Sequence, residues 1–230
     1  MDALILSAGV GSRIKEYTSN KPKTMLKVKG KPLLEHNIML CKKYGITRIF
    51  INLHYLPEVI EDYFQDGSRF GVEIFYNKEE KLLNTAGALL PFSNHFSDRL
   101  IFVIYGDNYI PVNLSNILKY HKKTCSDFTI LLAYRNKVKN SGVVSIKEDS
   151  KIYKFLEKPD IDDSVYKWVN AGIYLFQPKK ILRFIRPNND FGYDVFPRMI
   201  NNNMKLIGYK TKKKLITIDT PSMYNQNKYV

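Results

Sequence analysis

Cysteine is nearly absent. Cys41 and Cys125 are the only two in 230 residues, and neither stands in a metal-type spacing. That excludes a disulfide-stapled or zinc-built fold and suits a reducing compartment. Both thiols are expected on a helix face or in the core. Histidine is sparse as well: His36, His54, His95 and His121 are dispersed and suggest no nucleophile–base constellation. No apolar run approaches the roughly 20 residues that a bilayer span needs. Met1 and Asp2 lead straight into an apolar strand-like run, which argues against a secretory leader and for a cytoplasmic protein. The single tryptophan, Trp168, reads as core or platform packing. Acidic residues are also in short supply, 22 against 36 basic ones, for a formal charge of +14. Such an excess steers polyanions toward the chain. Its one dense basic run, Lys210–Lys214, reads as a solvated turn between short strands, Leu206–Tyr209 and Leu215–Ile218. With no helix-turn-helix or aromatic RNA-binding pattern beside the charge, nucleic-acid binding is not expected. Nucleotides and pyrophosphate would meet the same field.

What is present is an ordinary globular composition, 44% hydrophobic and 25% charged, in a chain long enough to bury a core without staples. Apolar periodicity alternates strand and helix through the first 140 residues. Strands are expected at Ala3–Ser7, Arg48–Leu53, Val72–Tyr76, Leu100–Ile104 and Thr129–Ala133. Helices fall at Leu34–Lys43, Pro57–Gln65, Thr85–Leu90 and Ser115–Lys122. Such alternation means βαβ units and a mostly parallel sheet flanked by helices. Beyond it come short strands, Gly142–Ile146, Ile152–Leu156 and Trp168–Phe176, which read as a small antiparallel extension. A helix over Asp194–Asn201 and a closing strand follow. The expectation is one α/β domain, about 1–140 binding nucleotide and about 141–230 carrying the second substrate and the closing strand. No hexapeptide-repeat tail is expected.

The most informative stretch opens the chain. An apolar strand stops at Ser7, and Ala8, Gly9, Val10, Gly11, Ser12 and Arg13 follow. Ten positions after Arg13 stands Lys23, preceded by Lys21 and Pro22. Gly9 and Gly11 remove the Cβ atoms that keep a phosphate chain from backbone N–H groups, and Arg13 and Lys23 add full charge beside that cradle. The dinucleotide fingerprint is excluded because position 14 is Ile rather than Gly. A P-loop is excluded because no Gly-Lys-Ser/Thr follows. The cradle suits a triphosphate. Asp107 follows one apolar strand and Asp219 another. In an open parallel sheet ligands sit beyond the carboxyl ends of strands, where two such carboxylates can share a hard cation.

These segments resemble the signature of the sugar-1-phosphate nucleotidylyltransferases, a strand followed by G-x-G-[ST]-R and then P-K-x-[ML]. Later segments continue the likeness in order: Leu83–Leu89, Tyr105-Gly106-Asp107, Phe155–Pro159, Asn170–Tyr174 and Ile218–Tyr224. Together they span nearly the whole chain. The resemblance implies a Rossmann-like, nucleotide-diphospho-sugar transferase fold and transfer of a nucleoside monophosphate from a triphosphate to a sugar-1-phosphate. It implies Arg13 and Lys23 as catalytic residues, and Asp107 and Asp219 as ligands of Mg²⁺. Leu6, Ala8, Gly9, Gly11, Thr85, Gly87 and Asp107 would bind the nucleotide. Glu157, Lys158, Asn170 and Gly172 would bind the sugar phosphate. Two departures stand out: Asn84 where many relatives have Gly, and Thr220 where a Gly usually follows the Asp.

The run Thr85–Leu89 looks most like mannose- or heptose-1-phosphate guanylyltransferases, so GTP is the expected nucleotide and glycan synthesis the expected use. Asn52–Leu56 and Asp66–Gly71 also resemble uridylyltransferases, which keeps a uridylyl- or thymidylyltransferase open. A cytidylyltransferase for phosphocholine-like substrates and a non-catalytic nucleotide-sugar sensor are further alternatives. Oligomeric state, a homo-oligomer included, is not legible.

Overall fold

The computed structural model describes residues 1–96, 99–160 and 166–229. The chain forms two compact units that interleave in sequence. One comprises residues 1–82, 103–111 and the segment from 215 onward; the other comprises 83–102 and 112–214.

The first unit is the parallel part. Strand Asp2–Leu6 pairs in parallel with Arg48–Leu53, which pairs in parallel with Glu73–Lys78. Strand Ile101–Tyr105, whose second half belongs to this unit, lies on the other side of Asp2–Leu6. Leu4, Ile5, Phe50 and Ile51 are fully buried, as expected where both faces of a sheet are covered. Helix Leu33–Lys43 turns Leu33, Leu34, Ile38 and Cys41 inward, and Gly45 just past its end adopts φ 75°. That left-handed stop costs glycine nothing. Helix Pro57–Phe64 starts at its proline, whose missing N–H would have had no helical partner anyway.

A second apolar cluster in this unit supports the glycine turn. Ile14, Leu26, Val28, Leu33, Ile216 and Ile218 are buried together, with Tyr17, Tyr109 and Tyr224 packed against them. Each such aliphatic side chain contributes about 1.5–3 kcal/mol on burial. The cluster fixes the residues beside it in sequence, Arg13 before Ile14 and Asp219 after Ile218.

The second unit is mainly antiparallel. Ile152–Leu156 pairs with Val143–Ile146, and Trp168–Phe176 pairs with both Val143–Ile146 and Phe128–Tyr134. Phe128–Tyr134 was expected among the parallel strands. It runs antiparallel to Trp168–Phe176, and its parallel neighbour is Leu206–Thr211. Phe128, Phe176, Phe191 and Phe196 form an aromatic core, with Phe128 stacked on Phe176 at 4.6 Å. The helix expected from Asp194 begins at Phe191 as a wide π turn and becomes α-helical over Phe196–Asn201. Pro197 explains the loosened start, because it lacks the N–H that would bond the carbonyl four residues back.

Two smaller expectations change. Cys41 is buried on its helix, but Cys125 is exposed in a left-handed turn (φ 47°) past helix Leu114–Lys123. The basic run is only partly a turn, since Lys210 and Thr211 extend the strand and pair with Leu132 and Ala133. Among the described residues no helix is long and apolar enough to cross a membrane.

Candidate active site

Each site residue of the first unit is held by a local reason. Gly11 has φ 66°, and a Cβ there would lie 3.3 Å from both Lys23 Cβ and Thr18 Cγ2. Only glycine meets both demands at no cost. Gly9 is different, because a Cβ there would meet nothing within 4 Å. Packing does not require that glycine, which leaves its backbone open to a ligand. Leu6 ends the first strand, and Ala8 is buried beside Gly9. The amide of Ser7 donates to Asn52 Oδ1 at 2.9 Å, and Asn52 donates in turn to Glu79 Oε1 at 2.8 Å. This chain fixes where the turn leaves the strand.

Pro22 leads into a short 3-10 turn, Lys23–Met25, whose residues are all buried. Gly106 lets the segment before Asp107 cross the end of the first strand: a Cβ there would be 2.7 Å from Leu6 O and from Ser7 Oγ. Asp219 arrives from the far end of the sequence. Its strand, Ile216–Thr217, pairs antiparallel with Asn108–Tyr109, with Thr217 opposite Asn108. That register puts Asp107 and Asp219 at the same end of one ribbon. Thr220 then caps helix Pro221–Asn227 by accepting from Met223 N. The departure from glycine thus has a use, since a hydroxyl at this position closes the helix end.

The result is a charge cluster on one ammonium. Lys23 Nζ lies 2.5 Å from Asp107 Oδ2 and 2.7 Å from Asp219 Oδ1. Arg13 Nη2 reaches Asp219 Oδ1 at 3.1 Å. Lys23 is 8% exposed at its side chain, whereas Arg13 is 55% exposed. Burial opposes the Lys23 charge, but Asp107 and Asp219 more than offset it and raise its pKa above the ordinary value. Gly9, Gly11, Ser12, Arg13, Lys23, Asp107 and Asp219 line one cavity of about 190 Å³.

The remaining expected residues lie in the second unit. Asn84 has φ 59°, a conformation that Gly and Asn adopt more readily than other residues, which accounts for the exchange of one for the other. Thr85 is not an N-cap of its turn, Asn84–Gly87; its hydroxyl donates to Asp190 Oδ2 at 2.7 Å and accepts from Phe191 N at 2.9 Å. Gly87 packs against segment 186–188, where a Cβ would be 3.1 Å from Asn188 N.

Glu157 and Lys158 are 3.6 Å apart. Burial first, then the nearby Asp190 charge, pushes the Glu157 pKa up. Asn170 spends both ends of its amide internally, on Gly172 N (2.9 Å) and Tyr174 OH (2.7 Å). Gly172 has φ 71° at a β-bulge, so the backbone itself demands glycine there. Trp168 packs edge-on against Tyr134 at 5.6 Å.

Sequence reasoning missed Asn37 and Asp190. Asn37 sits 1% exposed on helix Leu33–Lys43, and its Nδ2 donates to Gly106 O (3.3 Å) and Asn108 O (3.0 Å), the carbonyls flanking Asp107. The only sequence signal was a polar residue on an apolar helix face.

A glycine turn, two carboxylates at strand ends and a lysine between them thus meet at one cavity. The chain belongs to the nucleotidyl transferase family, whose family model matches residues 2–215. A UTP–glucose-1-phosphate uridylyltransferase of Synechocystis sp. is 33% identical over 89% of this chain and 56% of its own length. A mannose-1-phosphate guanylyltransferase of Mycobacterium tuberculosis is 30% identical over 91% of this chain and 58% of its own. The chain therefore spans little more than half the length of these curated relatives. Among solved structures, HddC from Yersinia pseudotuberculosis complexed with GMP-PN matches with a TM-score of 0.82 and 24% identity, over 98% of this chain and 97% of that one. That likeness speaks for the fold.

Proposed function

We propose that this chain transfers a nucleoside monophosphate from a nucleoside triphosphate to a sugar-1-phosphate, releasing pyrophosphate. The observation that carries the reading is the convergence of Asp107 and Asp219 on Lys23 Nζ beside the Gly9–Arg13 turn. Phosphoryl transfer asks little covalent work of a protein; positioning and charge neutralisation dominate. A sugar-phosphate oxygen attacks the α-phosphorus in line, and pyrophosphate departs. Backbone N–H groups around Ala8, Gly9 and Gly11 cradle the phosphates, and the backbone around Leu6, Ala8 and Gly9 reads the base edge. Arg13, half in solvent, swings onto the leaving β,γ-phosphates. Lys23 has three N–H bonds; the two carboxylates engage two, which leaves the third for a phosphate oxygen.

Asp107 and Asp219 fit Mg²⁺. Their oxygens already converge on one cation, and Mg²⁺ is commonly held by one or two carboxylates with water and phosphate oxygens completing its shell. Among the described residues no group of three His, Cys, Asp or Glu forms, so substrate and water would supply the other ligands. When bound, the ion supplies positive charge at the α-phosphate. By the family likeness, Thr85 and Gly87 serve the base and ribose, Lys158 the sugar phosphate, and Glu157, Asn170 and Gly172 the sugar ring.

GTP with mannose- or heptose-1-phosphate is the favoured pair. The Thr85–Leu89 run and the guanylyltransferases among the relatives support it. The Synechocystis relative supports a uridylyltransferase as the second reading. A pyrophosphate-release screen of the common nucleoside triphosphates against a panel of sugar phosphates tests both. GTP should give the highest kcat/KM, because a site that hydrogen-bonds a base edge leaves polar groups unpaired with the wrong base. A clear preference for UTP, dTTP or CTP overturns the choice of base, and no release with any pair overturns the activity.

A further inference from the structure

We propose that Asp190 is a positioning residue that holds the Thr85 turn and the seat of Glu157 in one register. This rests on the reading above, in which Thr85 and Gly87 meet the nucleotide and Glu157 meets the sugar.

Segment 188–191 grips the turn Asn84–Gly87 from about a hundred residues away in sequence. Asn188 O accepts from Asn84 Nδ2 at 2.7 Å, and Asn189 O accepts from the amides of Ala86 and Gly87, each at 3.0 Å. The Thr85 hydroxyl sits between Asp190 Oδ2 and the Phe191 amide, donating to one and accepting from the other. Asn189 is itself fixed, its Oδ1 taking Arg198 Nη1 at 2.6 Å and Arg186 N at 2.8 Å.

The other oxygen of Asp190 works in the opposite direction. Oδ1 accepts from Gly192 N at 2.7 Å and Tyr193 N at 3.1 Å, closing the start of the turn Phe191–Val195. Gly192 is the seat of Glu157: a Cβ there would overlap Glu157 Oε2. On the facing side a Cβ at Gly142 would lie 2.7 Å from the same oxygen. The Glu157 carboxyl group is thus wedged between two glycines, one of them hydrogen-bonded to Asp190. One carboxylate reaches both the turn assigned to the nucleotide and the seat assigned to the sugar.

A capping role alone does not account for this residue. Capping uses Oδ1, and Asn or Ser would cap as well without placing a second negative charge near Glu157. Oδ2 is spent on Thr85, and the acid–acid proximity disfavours the charged form of Glu157. Costly charge arrangements of this kind concentrate at functional sites.

The test compares Thr85→Val, which keeps the shape and removes the hydroxyl, with Thr85→Ser, which restores it. Amide hydrogen exchange and steady-state kinetics are both read on the full chain. Thr85→Val should quicken exchange at Gly192, Tyr193 and Lys158, none of which bonds to Thr85. It should also raise KM for both substrates by about fivefold to tenfold, the scale of one lost hydrogen bond, with a smaller change in kcat. Thr85→Ser should return both readouts toward wild type. Exchange that quickens only at residues 84–88 and Phe191 overturns the proposal, as does a rise confined to the KM of the triphosphate. If wild-type chain turns over no substrate pair, the functional reading fails, and the exchange arm still decides whether Asp190 couples the two segments.

Discussion

Asn37 holds Asp107 from behind, donating through a single side-chain amide to the carbonyls of Gly106 and Asn108 on either side of it. The two residues lie in different elements of the first unit, and this amide ties the segment around Asp107 to helix Leu33–Lys43. Asn37→Leu keeps the branching in a bulkier, apolar side chain and removes the donor shared by both carbonyls. It should destabilise the chain by about 1–3 kcal/mol, the cost of buried acceptors left unpaired. Loosening Asp107 should also lower kcat by about tenfold, a fraction of what losing a transition-state stabiliser costs. Urea unfolding and steady-state rates check the pair. Unchanged stability with unchanged kcat would show that Asn37 does not position Asp107.

The two glycines of the opening turn should respond differently. Gly11→Ala forces a side chain into φ 66° against Lys23 and Thr18, so it should lose about 1–2 kcal/mol from the left-handed backbone alone. Its activity should fall with it, because Lys23 is the atom group displaced. Gly9→Ala meets open space and should unfold with the wild-type midpoint while losing nucleotide affinity. Denaturation midpoints and calorimetric binding of a nucleoside triphosphate separate the cases. A Gly9→Ala chain that binds as well as wild type would remove Gly9 from the cradle.

Glu157 carries a pH signature. Its folded pKa is raised above the ordinary 4.5, first by burial and then by Asp190. The folded state therefore holds this proton more tightly than the unfolded chain does. Stability falls as pH rises from the unfolded value through the folded one, and the cost is fully present above the folded value. Glu157→Gln should abolish that fall and leave the chain more stable at pH 7, yet less active toward the sugar phosphate. Thermal melts across the acid range, with kinetics at neutral pH, provide the check. A variant that is destabilised at neutral pH would contradict the assignment of cost.

How much of this was legible in the sequence follows from range. Gly11, Arg13, Lys23 and Asp107 stand next to strand ends and turns, where local pattern places them, and the structure brings all four to one cavity. Asp219 was visible because an apolar strand precedes it. The strands of the first unit were equally plain, Arg48–Leu53 to the residue. Direction was not: alternation and apolar runs look the same in parallel and antiparallel strands, so the antiparallel pairing of Phe128–Tyr134 with Trp168–Phe176, beside its parallel pairing with Leu206–Thr211, was not legible. Asn37 and Asp190 were invisible for another reason. Each acts through hydrogen bonds to residues about 70 or 105 positions away, and nothing in a single polar residue on a helix or loop announces such a partner. Asn84 looked like a departure and is a backbone requirement, which only its φ of 59° reveals.

The most direct test of the account is pyrophosphate release by Asp107→Ala and Asp219→Ala beside wild type, with GTP, a sugar-1-phosphate and excess Mg²⁺. Both carboxylates meet Lys23 in the wild-type chain. If they form the reacting centre, wild type releases pyrophosphate only when the sugar phosphate is present, and each variant is slower by about a hundredfold or more. Release that proceeds undiminished in either variant, or in wild type with the divalent ion chelated away, would contradict the account.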